Sequence, residues 1–176
     1  MKTCMLDIEA TNLGAEFGRV LAVCIKPYQG KVISFSDQNP KRLYDDGPLI
    51  RKALKELSQY DVWVTYYGTK FDLPFLATRL WGKRRPPLMR PFHFDCYPLC
   101  KRYMRLWSRR LARVQEFLNL DNKKTPLVPA VWQRATTGDK RALRQIVKHC
   151  EADVEVLEEV YDMVKDHCLQ MRRQIV

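Results

Sequence analysis

The sequence predicts an α/β domain with a mixed β-sheet. Three observations point to it. Short β-rich runs crowd the first 35 residues, helical and strand-like patterns then alternate, and the chain after Phe94 turns helical. Residues 3–9 read as the first strand. Residues 19–27 and 31–35 are two more, joined at Tyr28-Gln29-Gly30 as a hairpin, and Asp37-Gln38-Asn39-Pro40 closes that unit. Leu49, Ile50, Leu54 and Leu57 recur at helical spacing, which predicts an amphipathic helix over 47–59. A β-rich run, 61–66, ends at Gly68, and a helix follows from Asp72 to about Leu80. Pro86, Pro87 and Pro91 mark a loop before a short last strand at 92–94. Helices are expected over 97–106, 109–118 and 139–148. A long final helix over 146–170 has its stripe at Ile146, Cys150, Val154, Leu157, Tyr161, Val164 and Cys168. The first strand should be central, since it carries acidic residues to a place that later elements also feed.

The 176 residues suffice for one well-buried domain, 1–176, with no internal repeat and no low-complexity linker. No apolar run approaches the length of a membrane span. Met1 to Leu6 leads straight into a carboxylate pair and does not resemble a signal peptide, so a cytoplasmic protein is expected. The six cysteines (4, 24, 96, 100, 150, 168) lack the spacing of a zinc site and several fall inside apolar patterns. All six are expected to be reduced thiols, most of them buried. No dimer seam is visible, and oligomeric state is left open.

The net charge of +11 is concentrated. Residues 83–113 hold 10 Lys and Arg against one acid, Asp95, while the flanking regions are nearly balanced. A field of this sign attracts polyanions. Phe92, Phe94, Tyr97, Tyr103 and Trp107 are interleaved with Arg84, Arg85, Arg102, Arg105, Arg109 and Arg110. Cations for phosphates and ring faces for bases are what single-strand binding uses. The ordinary alternative is a solvated charged face over buried rings. Lys123 and Lys124 could add to the same groove.

The chemistry lies in three acidic patches. Asp7 and Glu9 alternate in an apolar run, so a strand points both to one face. Asp72 opens a helix, and His149 and Asp153 share a helical face four residues apart. Each has a plain reading by itself: a polar strand face, a helix cap, an intrahelical pair. Asp95 reads as a turn or cap residue. Taken together they are what phosphodiester hydrolysis needs. Converging carboxylates repel and are costly to bury, and hard oxygen ligands suit two Mg²⁺ or Mn²⁺ ions. Such a pair, about 3.5–4 Å apart, serves in-line displacement at phosphorus, and a nearby neutral histidine can take a proton.

The stretch Leu6-Asp7-Ile8-Glu9-Ala10-Thr11-Asn12-Leu13 resembles the first motif of the DEDD superfamily of 3′–5′ exonucleases, which have a ribonuclease H-like fold. Residues 65–76, with Gly68, Phe71 and Asp72, resemble the second motif. His149-Cys150-Glu151-Ala152-Asp153-Val154, with Leu157 and Tyr161, resembles the third. The order and separations are family-like and span most of the chain. The resemblance implies a mixed sheet flanked by helices and a two-metal 3′–5′ exonuclease acting on single-stranded DNA or RNA. It implies that Asp7, Glu9 and Asp153 ligate one ion, that Asp7 bridges to the second, and that Asp72 completes that second site. His149 would be the general base and Leu13 a wedge against the terminal base, with a core leucine as the plain alternative for Leu13. Two departures stand out. Tyr67 lies where the family often has Asn, and the three residues between His149 and Asp153 match the branch that uses tyrosine at the histidine position. The chain is thus similar to a subgroup with histidine at that spacing, such as small bacterial and phage ribonuclease H-like proteins. A structure-specific endonuclease on the same fold and a catalytically silent nucleic-acid-binding module are the alternatives.

Overall fold

The structure, a computed structural model, describes residues 1–36, 45–82, 91–120 and 127–173, with the last seven of these described by backbone alone. Five strands form one sheet: β1 (Thr3–Ala10), β2 (Val20–Pro27), β3 (Ile33–Ser36), β4 (Val62–Thr65) and β5 (Phe92–Asp95). Their order is β3-β2-β1-β4-β5, which makes β1 central. β2 and β3 join antiparallel, while β4 and β5 run parallel to β1. The β2–β3 turn uses a left-handed Gln29, φ 59°. The expected mixed α/β sheet is therefore present.

Alternation along β1 divides the molecule. Cys4, Leu6 and Ile8 pack with Val23, Ile25 and Trp63 beneath α1 (Gly47–Leu57) and α2 (Asp72–Gly82). Met5 faces the other way, with Ala22, Cys24, Val62 and Val64, toward α3 (Cys96–Tyr103), α4 (Leu111–Phe117), α5 (Pro129–Thr136) and α6 (Lys140–Arg173). Each fully buried Leu or Ile in these layers contributes about 1.5–3 kcal/mol. Cys4, Cys24, Cys96, Cys100 and Cys150 are free and buried; the Cys168 side chain lies outside the described residues.

The differences from expectation fall in the C-terminal half. The expected helices 139–148 and 146–170 are one, α6, because no Gly or Pro breaks the pattern between them. The helix expected over 97–106 ends at Tyr103, and the one over 109–118 covers Leu111–Phe117. α5 was not expected at all. Its signals are short: Pro at its start, Val131 and Ala135 buried four apart, and Gly138 beyond its end with φ 94°. The turn at 37–40, and Lys83, Arg84, Arg85, Arg90, Lys123 and Lys124, lie outside the described residues. Among the described residues no helix is long and apolar enough to cross a membrane.

Two ties hold the loop that follows β1. Arg79 forks onto the buried Asp46 at 2.9 and 3.0 Å, and its third nitrogen donates to the Ala15 carbonyl at 3.2 Å. Arg19 N–H donates to Thr11 Oγ1 at 3.0 Å and Thr11 N–H to the Arg19 carbonyl at 3.0 Å, closing the base of residues 11–19.

Candidate active site

The parallel β1–β4 ladder runs from Thr3–Val62 to Met5–Val64 and stops. β1 continues past it, so its later amides on that edge have no strand partner. The Ile8 N–H fills the gap by donating to Asp72 Oδ1 at 3.1 Å. Asp72 is the first residue of α2 and is buried; its carboxylate reaches across to β1. A crevice at the carboxyl ends of adjoining strands is where open α/β sheets bind ligands.

Asp7 and Glu9 leave β1 on the α6 side. There α6 lies across the strand, fixed by Cys150, whose thiol donates to the Asp7 carbonyl at 3.4 Å. One residue earlier and one turn later on the same helix, His149 and Asp153 face the acids. His149 Nε2 lies 3.8 Å from Glu9 Oε1. Ligand atoms of Glu9, His149 and Asp153 all lie within 4.8 Å of one another. Glu9 of β1 thus meets His149 and Asp153 of α6, while Asp7 and Asp72 lie outside that triad but close enough for Asp72, Asp153 and Glu9 to act on Asp7 by charge.

The electrostatics agree. Asp7 is pushed well above the usual carboxylate range by removal from solvent, then by the charges of Asp153, Asp72 and Glu9, against a thiol hydrogen bond from Cys150. Asp72 is pushed up to about 7, first by burial, with amide hydrogen bonds opposing and Asp95 and Asp153 adding repulsion. Mutually destabilised hard carboxylates with an adjoining imidazole are a donor set suited to divalent cations.

Four supporting residues surround these. Trp132 on α5 donates its indole N–H to Glu9 Oε2 at 3.3 Å and sets its ring edge-on to His149, centroids 6.0 Å apart. Sequence reading missed Trp132 because it missed α5. Asp95 caps α3 through the Tyr97 N–H at 3.0 Å, as a cap reading requires. It also accepts the N–H groups of Tyr67 at 2.8 Å and Thr69 at 3.0 Å, pinning the turn before α2. In that turn Tyr67 has φ 68°, a left-handed conformation that Asn adopts more readily than Tyr. At Gly68 an added Cβ would sit 2.3 Å from Thr65 Oγ1, so glycine is required for space.

Leu13 is 86% exposed, so it is not a core leucine. It borders a cavity of about 930 Å³, lined also by Glu9, Asn12, Phe71 and Trp132, with no Lys or Arg among the described residues of its wall. Arg102, Arg105 and Arg110 are exposed and Arg109 is half-buried; all four lie on or just after α3, outside that cavity.

Comparison with known proteins agrees with this fold. The family B DNA polymerase from the hyperthermophilic archaeon Pyrobaculum calidifontis superposes with a TM-score of 0.76 at 17% identity, over 93% of this chain and 24% of that one. A DNA polymerase of Methanocaldococcus jannaschii is 29% identical over 109 residues, which is 48% of this chain and 7% of that protein. The chain therefore spans only a small part of either relative. A model of the RNase_H superfamily matches residues 4–165, a range that holds every acidic residue of the crevice together with His149, and the chain belongs to that superfamily.

Proposed function

We propose that the protein is a metal-dependent 3′–5′ exonuclease that hydrolyses phosphodiester bonds of single-stranded DNA or RNA. The observation that carries this reading is the meeting of Asp7, Glu9, Asp72, Asp153 and His149 at the carboxyl ends of β1 and β4. Resemblance of the three motifs to DEDD exonucleases, and likeness to part of two DNA polymerases, support it. Asp7, Glu9, Asp72 and Asp153 would hold two Mg²⁺ or Mn²⁺ ions. Such ions, when bound, supply an activated water and neutralise charge on the phosphate and the leaving oxygen.

The rest is done by the chain itself. The Ile8 amide fixes Asp72, the Trp132 indole orients Glu9, and the Cys150 thiol ties α6 to the Asp7 peptide. His149 Nε2 takes the proton of the attacking water. The Leu13 cavity receives the terminal nucleotide, with Leu13 and Phe71 as apolar walls for its base.

The test is digestion of a 5′-labelled strand, DNA beside RNA, with Mg²⁺, Mn²⁺ or EDTA. A stepwise ladder that EDTA abolishes is expected. Internal cuts would make the protein an endonuclease, and binding without any cleavage would make it a silent module. His149→Ala should slow cleavage by about 10²- to 10⁴-fold with the Mn²⁺ requirement unchanged if His149 is the base. A raised Mn²⁺ requirement would make it a ligand instead, as its nearness to Glu9 and Asp153 also allows.

A further inference from the structure

A second cavity, of about 400 Å³, shares no lining residue with the Leu13 cavity. Its wall is Tyr66, Tyr67, Tyr97, Arg109, Arg110 and Leu111. The rings are fixed. Tyr67 and Tyr97 meet edge-on with centroids 4.7 Å apart, and Tyr66 and Tyr97 likewise at 5.7 Å. The Asp95 Oδ1 atom holds the backbone amides of both Tyr67 and Tyr97, and Tyr66 donates its hydroxyl to the Arg109 carbonyl at 2.7 Å. Tyr67 is nevertheless 44% exposed, so ring surface is left for a ligand. The Nε of Arg109 is shielded from solvent and has no hydrogen-bond partner among the described residues. A shielded guanidinium N–H calls for an acceptor.

We propose that this cavity is a nucleotide subsite that grips the retained part of the strand, stacking one base on the exposed ring of Tyr67, which Tyr97 braces edge-on, and placing a phosphate on Arg109 and Arg110. The division of charge selects the occupant. Among the described residues the Leu13 cavity is lined by a carboxylate and by no Lys or Arg, so it supplies no cation of its own for a strand of phosphates. The tyrosine cavity has, among the described residues, two guanidinium groups and no carboxylate in its lining, which suits a polyanion. Its volume falls in the range of small-ligand sites and is too small for a duplex. Asp95 joins the two chemistries: it pins the tyrosine turn and its charge reaches Asp72. A base held here thus sets the register of the strand over the carboxylates. The assignment rests on the nuclease reading only for its direction along the strand.

The test is equilibrium binding in EDTA, where no cleavage occurs. The probes are fluorescein-labelled single strands, DNA and RNA, each with one abasic position moved stepwise from the 3′ end. One position should weaken binding by roughly 5- to 150-fold, the span of a single stacked base. Tyr67→Phe should keep that penalty. Tyr67→Asn, which relieves the left-handed backbone, should erase it. Arg109→Gln should lower the slope of log affinity against log salt by about 1. A penalty equal at every position, or unchanged in Tyr67→Asn, would overturn the subsite, as would no measurable binding of either strand. Cleavage without a position-specific penalty would defeat the subsite alone, and a position-specific penalty without cleavage would defeat the nuclease alone.

Discussion

The two faces of β1 obey the same geometry and serve opposite ends. Cys4, Leu6 and Ile8 disappear into an apolar layer under α1 and α2. Asp7 and Glu9, one pleat away, enter a crevice where their charges oppose each other and those of α2 and α6. The first face is bought with hydrophobic burial; the second is held in place against its own repulsion by the rest of the fold. What the contrast teaches is that stability and chemistry are separable on a single strand, residue by residue.

That separation can be broken or sharpened by measurement. The largest effect is expected for Asp7→Asn. Cleavage of a labelled strand should be abolished while the melting temperature in EDTA stays level or rises, because a desolvated carboxylate is gone. A folded variant that still cleaves would remove Asp7 from the chemistry. Leu6→Ala is the mirror case. It should cost about 2–5 kcal/mol in denaturant unfolding and leave the rate per folded molecule unchanged. Loss of rate in that variant without loss of stability would blur the two faces.

Trp132→Phe keeps the ring and removes the donor to Glu9. It should cost about 10- to 100-fold in Mn²⁺ affinity or rate, measured by titrating the metal in the digestion assay. The pH response of the metal-free protein tests the same crevice without its chemistry. Asp72 has an ordinary value of 3.8 and is pushed up to about 7 in the fold, so the folded state binds the proton more tightly. Its contribution is fully present below about pH 4 and is lost as pH rises through about 7. Thermal melting in EDTA should show this decline, and Asp72→Asn should flatten it. An unchanged slope in that variant would show that Asp72 is not what titrates.

Much of this was legible before any fold was known. The alternation at Asp7 and Glu9 and the four-residue step from His149 to Asp153 each specify a shared face, because strand and helix periods are set by the backbone. The α6 stripe was legible for the same reason; Ile146, Cys150, Val154, Leu157 and Val164 are all buried. α5 was not. With two buried residues, Val131 and Ala135, it is too short for periodicity to stand out, and so Trp132 stayed hidden. Leu13 was undecided, since an apolar residue is compatible with core and surface alike.

Local pattern by itself determined the strands, most helices, the pairing of functional residues within each element and the concentration of positive charge. Only the tertiary structure decided that the β1–β4 ladder ends at Met5–Val64 and leaves the Ile8 amide for Asp72. It alone decided that Trp132 reaches Glu9 across 123 residues, and that Asp95 secures both Tyr67 and Tyr97. The physical reason is range. Periodicity reports which way a side chain points from its own element. Which groups then meet depends on where strands stop pairing and on which donors and acceptors are left for distant parts of the chain to satisfy.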